Sequence, residues 1–181
     1  MSLLVPRHAV LTGAPGAGKT TLLDAAAAAG YRTSPEVARQ LLQSPGGMAL
    51  RRSDPRGFAE AMIEAHAREY EMHAKARRPV VFDRGFPDVA GFLDVSGFSV
   101  PKAVDRACRT LRYSGPVLRA SAWAAIYVQD AERIQTLEEA IASDEAVTAA
   151  WRRYDYQVID LPLASIATRL AFLIRQLQPA A

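Results

Sequence analysis

The chain has 181 residues, of which 50% are apolar and 23% charged, a composition that excludes disordered and collagen-like chains and, at this length, fits one domain spanning residues 1–181. Its net charge of +3 is too small for a nucleic-acid-binding charge block, so no nucleic-acid partner is expected. The single cysteine, Cys108, excludes an intrachain disulfide, a cysteine-rich zinc site and a CxxC redox motif, and suits a reducing cytoplasm.

Short apolar runs alternate with helical patterns along the chain, as in an α/β protein with helices on both faces of a parallel sheet. Residues Met1–Thr12 lack the cationic and apolar regions of a secretory leader and run into a first strand, Ala9–Thr12. Next come Gly13, Ala14, Pro15, Gly16, Ala17, Gly18, Lys19 and Thr20, which match G-x-x-x-x-G-K-[ST] between a strand and a helix that continues through Thr21. Glycines let successive backbone N–H groups converge on a phosphate, the helix start adds a positive dipole end, Lys19 reaches the β/γ oxygens and Thr20 is the expected Mg²⁺ ligand. A helix is expected over Lys19–Ala29, with Gly30 as its cap, and a second strand over Arg32–Ser34. The alanine run Ala25–Ala29 is far shorter than the ~20 apolar residues of a spanning helix, and no other stretch approaches that length, so no integral membrane association is expected.

Pro35, Glu36, Val37, Ala38 and Arg39 follow that strand. Glu36 would reach the carboxyl edge of the sheet, either as a general base for an acceptor hydroxyl or as an exposed first-turn glutamate. A helix over Val37–Leu42 gives way to Ser44–Asp54, which lacks a period and reads as a surface loop bearing Arg51 and Arg52. A long helix over Pro55–Arg77, capped by Asp54, places Phe58, Met62, His66, Tyr70 and His73 on one stripe, suited to core packing or to lining a pocket. The third strand, Val80–Asp83, ends in a carboxylate that could hold Mg²⁺, orient the attacking group or cap the next helix, and Arg84 beside it suits a phosphoryl group in transit.

Helices over Asp88–Val95 and Pro101–Leu111 come next, the latter presenting Lys102, Arg106, Arg109 and Arg112 as one cationic face. Strands over Val117–Ala120 and Val158–Leu161 flank a helix over Ala131–Arg153, and a last helix runs from Ser165 to Gln176. Trp123 and Trp151 read as core or hinge residues, and Cys108 as a small buried hydrophobe.

The residues Gly13–Thr21, Pro35–Arg39, Asp83-Arg84-Gly85 with Asp88, Asp130–Arg133, and Leu161-Pro162 with Ser165 together resemble the small AAA-like P-loop ATPases. These are similar to the ribosylnicotinamide kinase domain of NAD-biosynthesis regulators and, more distantly, to nucleoside and nucleoside-monophosphate kinases. The resemblance implies a sheet in the order 2-3-1-4-5, an acceptor pocket beneath the helices after strands 2 and 3, and an arginine-bearing lid after strand 4. It also places Glu36 and Asp83 near acceptor and metal, Arg84 at the transferring phosphoryl group, Arg133 in the lid, and Leu161, Pro162 and Ser165 near the adenine. Where the family is richer in arginine, this chain has Gln129, Ile134 and Leu163.

The expected function is a cytoplasmic phosphotransferase or NTPase that binds ATP or GTP with Mg²⁺ through Gly13–Thr21. It would transfer the γ-phosphoryl to a small hydroxyl-bearing metabolite held near Glu36, Arg39, Arg84 and Asp88. Two alternatives stand beside it: a slowly hydrolysing nucleotide switch acting on a protein or lipid partner, and a polynucleotide end kinase, for which only Trp151–Tyr154 offers an aromatic and basic tract.

Overall fold

Five short strands pair in parallel into one sheet, β1 (Ala9–Gly13), β2 (Arg32–Thr33), β3 (Val80–Asp83), β4 (Val117–Ala120) and β5 (Val158–Asp160), in the order β2-β3-β1-β4-β5. The computed structural model describes residues 8–127 and 136–178. Its helices are α1 (Lys19–Ala28), α2 (Val37–Gln43), α3 (Gly47–Ser53), α4 (Pro55–His73), α5 (Phe86–Val95), α6 (Lys102–Thr110), α7 (Leu137–Arg153) and α8 (Ile166–Leu177).

The strands carry continuous apolar runs because both faces are covered, and their side chains alternate between two cores. Val10, Val80, Phe82 and Val117 pack against α4, α5, α6 and α7 through Phe58, Phe86, Val104 and Trp151. Ala9, Leu11, Val81, Leu118 and Ala120 pack on the other side against α1 and α8 through Leu22, Leu23, Leu173 and Leu177. Each fully buried leucine or phenylalanine contributes about 1.5–3 kcal/mol relative to an exposed one, so these two layers hold the sheet.

Register brings the reactive ends together. Leu11 lies opposite Asp83, and Gly13 lies opposite Ala120, so the carboxyl ends of β1, β3 and β4 share one edge. The chain leaves β1 toward one side of the sheet, and after β3 it crosses β1 to form β4, which makes this edge the switch point where an open α/β sheet keeps its ligands.

Residues 44–54 differ from the expected loop, since Gly47–Ser53 forms the helix α3. Its first residue is buried so tightly against the Leu41 carbonyl that a Cβ would collide with it, and Leu50 packs on the larger core. A seven-residue helix fixed by one backbone contact leaves no period to read. The long helix stops at His73 rather than Arg77, because Lys75, Arg77 and Arg78 are exposed and Pro79 disfavours helical backbone before it. The helix expected from Ala131 is described from Leu137, where Thr136 accepts the Glu139 N–H at 3.2 Å and Glu139 accepts the Thr136 N–H at 2.7 Å; residues 131–135 lie outside the described residues.

Asp54 caps α4, and Ser165 caps α8 by accepting from Thr168. Cys108 and Trp151 are buried, and burial pushes the Cys108 thiol up to about 12, which makes it inert. In the cationic stretch, Arg109 pairs with Asp105 and lies over Tyr154, while Arg112 donates to the Tyr154 carbonyl and lies 3.8 Å from the Tyr156 ring centroid. Half of that face is thereby occupied in bracing α6 against the end of α7.

Candidate active site

The loop from Gly13 to Gly18 turns β1 into α1 with three left-handed glycines, at φ 111° (Gly13), 75° (Gly16) and 75° (Gly18). Gly13 is needed twice over, because its backbone is left-handed and a Cβ there would strike the Ala120 carbonyl, which already accepts the Ala14 N–H at 2.9 Å. Lys19 folds back over the loop and donates from Nζ to the Ala14 carbonyl at 2.6 Å. Thr20 and Thr21 are exposed at the start of α1. The first turn of a ten-residue helix, preceded by converging N–H groups, is an anion cradle by construction.

Beside it, the end of β3 presents two side chains. Asp83 is 5% exposed; its backbone N–H donates to Ser34 Oγ at 2.9 Å, and its Oδ1 is buried with no hydrogen-bond partner. Arg84 has left-handed backbone, φ 65°, a conformation that costs an L residue about 1–2 kcal/mol and is kept where the surroundings over-determine it. Those surroundings are the Leu11 carbonyl, which accepts the Arg84 N–H at 2.9 Å, and the Gly13 carbonyl and Asp88 Oδ1, which accept from Nη1 at 3.2 and 3.0 Å. Glu36, at the cap of α2, lies 3.7 Å from Arg84 Nε and 3.4 Å from Arg39 Nε.

Asp88 anchors this group from within the protein. Oδ1 accepts from Thr12 Oγ1 at 2.6 Å and from Arg84, while Oδ2 accepts from the Gly85 N–H and from Trp151 Nε1, both at 3.0 Å. With four donors around it and the residue buried, Asp88 holds Arg84 and ties β1, α5 and α7 together. The sequence placed it among acceptor-binding residues and missed Thr12 and Trp151 as its companions, as it missed Ser34 beside Asp83. Only the indole N–H, which needs a partner when buried, hints at Trp151.

The structure therefore gathers Gly13–Thr20, Glu36, Asp83 and Arg84 at one end of the sheet, with Arg39 tethered to Glu36. Leu161 reaches the same edge in the strand-end loop after β5, but its side chain is buried in the core of α1 and α8, and the Ser165 hydroxyl is engaged in capping α8. Pro162 is half-buried beside the exposed Leu163. Arg133, with Gln129 and Ile134, lies outside the described residues. The segment leading to them is braced by Arg119, which donates to both oxygens of buried Asp144 at 2.9 and 2.8 Å, while the Ala122 N–H donates to the same carboxylate at 3.2 Å.

Burial, and secondarily the like charge of Arg84, lowers the Lys19 ammonium to about 7. Burial together with the Glu36 carboxylate raises Asp83 to about 6. Both shifts mark a crowded polar site, and each opposes full charging of the cluster. Among the described residues no three His, Cys, Asp or Glu side chains cluster as a self-sufficient metal site. A hydroxyl on the first turn of α1 and one free carboxylate oxygen fit Mg²⁺, which keeps waters and takes few protein ligands when it arrives with phosphates.

His66 packs against Phe86 at 5.9 Å between ring centroids, and burial lowers it to about 4, partly opposed by Asp88. The unfolded chain takes up a proton near 6.5 that the native state refuses until about 4, so His66 costs stability as the pH falls through that window, up to about 3 kcal/mol below it. Asp83, raised to about 6, acts in the opposite sense because its native form binds a proton before the unfolded form does. Melting temperatures of the wild type and His66→Gln are therefore expected to diverge between pH 7 and pH 4.5, with the variant losing less. Parallel curves would show that His66 is not held neutral.

Residues 8–169 match a family of AAA domains. The chain belongs to this AAA-domain family. No curated protein matches it in sequence. Among solved structures, deoxyadenosine kinase from M. mycoides with dCMP and a flexible dCDP bound superposes with a TM-score of 0.70 at 13% identity, over 94% of this chain and 98% of that one. The same kinase with dATP bound gives 0.67 at 13% identity over the same shares. NadR protein in complex with NR gives 0.64 at 16% identity, over 94% of this chain and 50% of that one. The fold is that of small P-loop kinases, with the strand order expected from the resemblance. Among the described residues no helix is long and apolar enough to cross a membrane.

Proposed function

We propose that this AAA-domain protein is a Mg·ATP-dependent kinase that phosphorylates the hydroxyl of a small, nucleoside-like metabolite in the cytoplasm. The observation that carries this reading is the cluster of Glu36, Asp83 and Arg84 held against the phosphate loop at the switch point of the sheet. A hydrolysing switch needs only a positioned water, whereas a carboxylate paired with a fixed guanidinium beside the phosphate loop suits an acceptor that must be both bound and deprotonated.

In this reading the loop N–H groups and Lys19 bind the triphosphate, and Thr20 and Asp83 hold the metal, which when bound neutralises charge on the β and γ oxygens. Glu36, a quarter exposed, faces the acceptor side and takes the proton of its hydroxyl as that oxygen bonds to the γ phosphorus and the bond to the bridging oxygen breaks. Arg84 offsets the negative charge of the phosphoryl group in flight, with Arg133 of the lid segment as a second cation. Arg39 orients Glu36, and Asp88 orients Arg84. Pro162 and Leu163 offer an apolar ledge for the base, with the backbone of Leu161 and Ser165 beside it.

The test is ADP release from Mg·ATP, with Mg·GTP alongside, in the presence of nucleosides, ribosylnicotinamide and small polyols. Stimulation of many fold by one acceptor class is expected. Glu36→Gln should then lower kcat by about 10²–10⁴-fold, the range for a positioned general base, while KM for nucleotide is retained. Slow release that no acceptor accelerates would overturn the kinase reading in favour of a nucleotide switch.

A further inference from the structure

Arg169, in α8, is 2% exposed, and arginine is almost never so buried without a paired charge. Among the described residues no carboxylate pairs with it. Its Nη1 donates to the Ala17 carbonyl at 3.0 Å, and its Nε is buried with no hydrogen-bond partner. Burial alone acts on its pKa, and lowers it by disfavouring the charged form. An uncompensated buried cation is costly, so its position asks for an anion nearby when the protein is at work.

The guanidinium sits directly behind the phosphate loop. A Cβ on Gly18 would lie 2.9 Å from Arg169 Nη1, so the arm packs directly on Gly18, whose left-handed backbone favours glycine. The Ala17–Gly18 peptide is trans, as are all the peptide bonds of the described residues, and in a trans peptide the carbonyl and the following N–H point in opposite directions. Because Arg169 draws the Ala17 carbonyl toward α8, the Gly18 N–H is turned away from α8, toward the side on which a loop of this kind receives an anion.

We propose that Arg169 is a positioning residue for the phosphate chain: it fixes the Ala17–Gly18 peptide so that the Gly18 N–H faces the ligand, and its unpaired charge completes the field of the anion cradle from behind. The inference rests on the phosphate loop being a nucleotide site, and it couples α8 and the base-side loop after β5 to the loop that binds phosphate.

Calorimetric titration of the wild type, Arg169→Met and Arg169→Lys with Mg·tripolyphosphate and Mg·ADP separates these possibilities. Methionine is expected to weaken both probes by about ten- to a hundredfold, the range for a charge-assisted hydrogen bond, and lysine, which keeps the cation without the planar fork, to fall between. Without ligand, the melting temperature of Arg169→Met should equal or exceed that of the wild type, and acceptor KM at saturating nucleotide should not move. Wild-type affinity for tripolyphosphate in both variants overturns the proposal, as does a loss confined to Mg·ADP, which would place the arginine at the base. Should methionine prevent folding, the lysine variant decides by the same two titrations. A wild type that binds neither probe overturns the nucleotide site itself, and a variant equal to a binding wild type overturns only the role of Arg169.

Discussion

Asp88→Ala is expected to destabilise the protein by about 3–5 kcal/mol, the cost of leaving buried charged and polar partners unpaired. Removing this carboxylate leaves the Thr12 hydroxyl proton and the Gly85 N–H without an acceptor, takes one of two acceptors from the Trp151 indole N–H, and strips the Arg84 guanidinium of its buried counter-charge. For a chain of this size, each kcal/mol shifts the melting temperature by roughly 2–4 °C, so a fall of at least about 6 °C is expected. Trp151→Phe removes the indole N–H with its bonds to Asp88 and Thr12 and, because phenylalanine is smaller, leaves a space in a fully buried position, so it should cost about 2–5 kcal/mol. The two changes share a network, so the double variant should cost less than their sum, by more than the few tenths expected for independent sites. Additive losses would mean that Asp88 and Trp151 support the fold separately. Asp88→Asn adds a sharper contrast: one carboxylate oxygen becomes a donor facing donors, so stability should stay below that of the wild type although the shape is kept.

The same network explains what was legible in the sequence. The phosphate loop was readable because its chemistry is local: Gly13, Gly16, Gly18, Lys19 and Thr20 act through their own backbone and the helix they start. The ends of β3 and β4 fell where expected because both faces of those strands are buried, which leaves runs such as Val80-Val81-Phe82 that neither a loop nor an exposed helix would carry. Asp83 and Arg84 could be placed at the carboxyl end of β3, beside the loop, from the strand that delivers them. The buried network around Asp88 could not be read, since it depends on Thr12 and Trp151, which lie 76 and 63 residues away. Arg169 was passed over for a similar reason, because an arginine in an amphipathic helix reads as a solvated residue until its contact with Ala17, 152 residues earlier, is known. Helix α3 was missed because one buried glycine rather than a hydrophobic period fixes it.

Lys19→Met is expected to lower turnover of Mg·ATP by at least about 10²–10³-fold, the loss on removing one preorganised partner of the developing charge. It should not unfold the protein. Without nucleotide, Lys19 is a buried amine whose pKa is brought from 10.5 to about 7, chiefly by burial and then by Arg84. Above 10.5 neither folded nor unfolded lysine carries a proton; as the pH falls from there to about 7, the unfolded chain takes one up before the native protein does, and stability is lost across that window. Replacing the ammonium with an apolar chain of similar length removes this penalty, so the unliganded variant should melt at or above the wild-type temperature at pH 7.5, with the difference shrinking as the pH approaches 10. Added Mg·ATP should reverse the order. At a hundred times Kd, ligand stabilises the binding-competent protein by about 2.7 kcal/mol, and the variant should gain little of this. A lysine present only to brace the loop through its bond to the Ala14 carbonyl would give the opposite pattern, with a lower melting temperature in the unliganded variant and an undiminished shift on adding nucleotide.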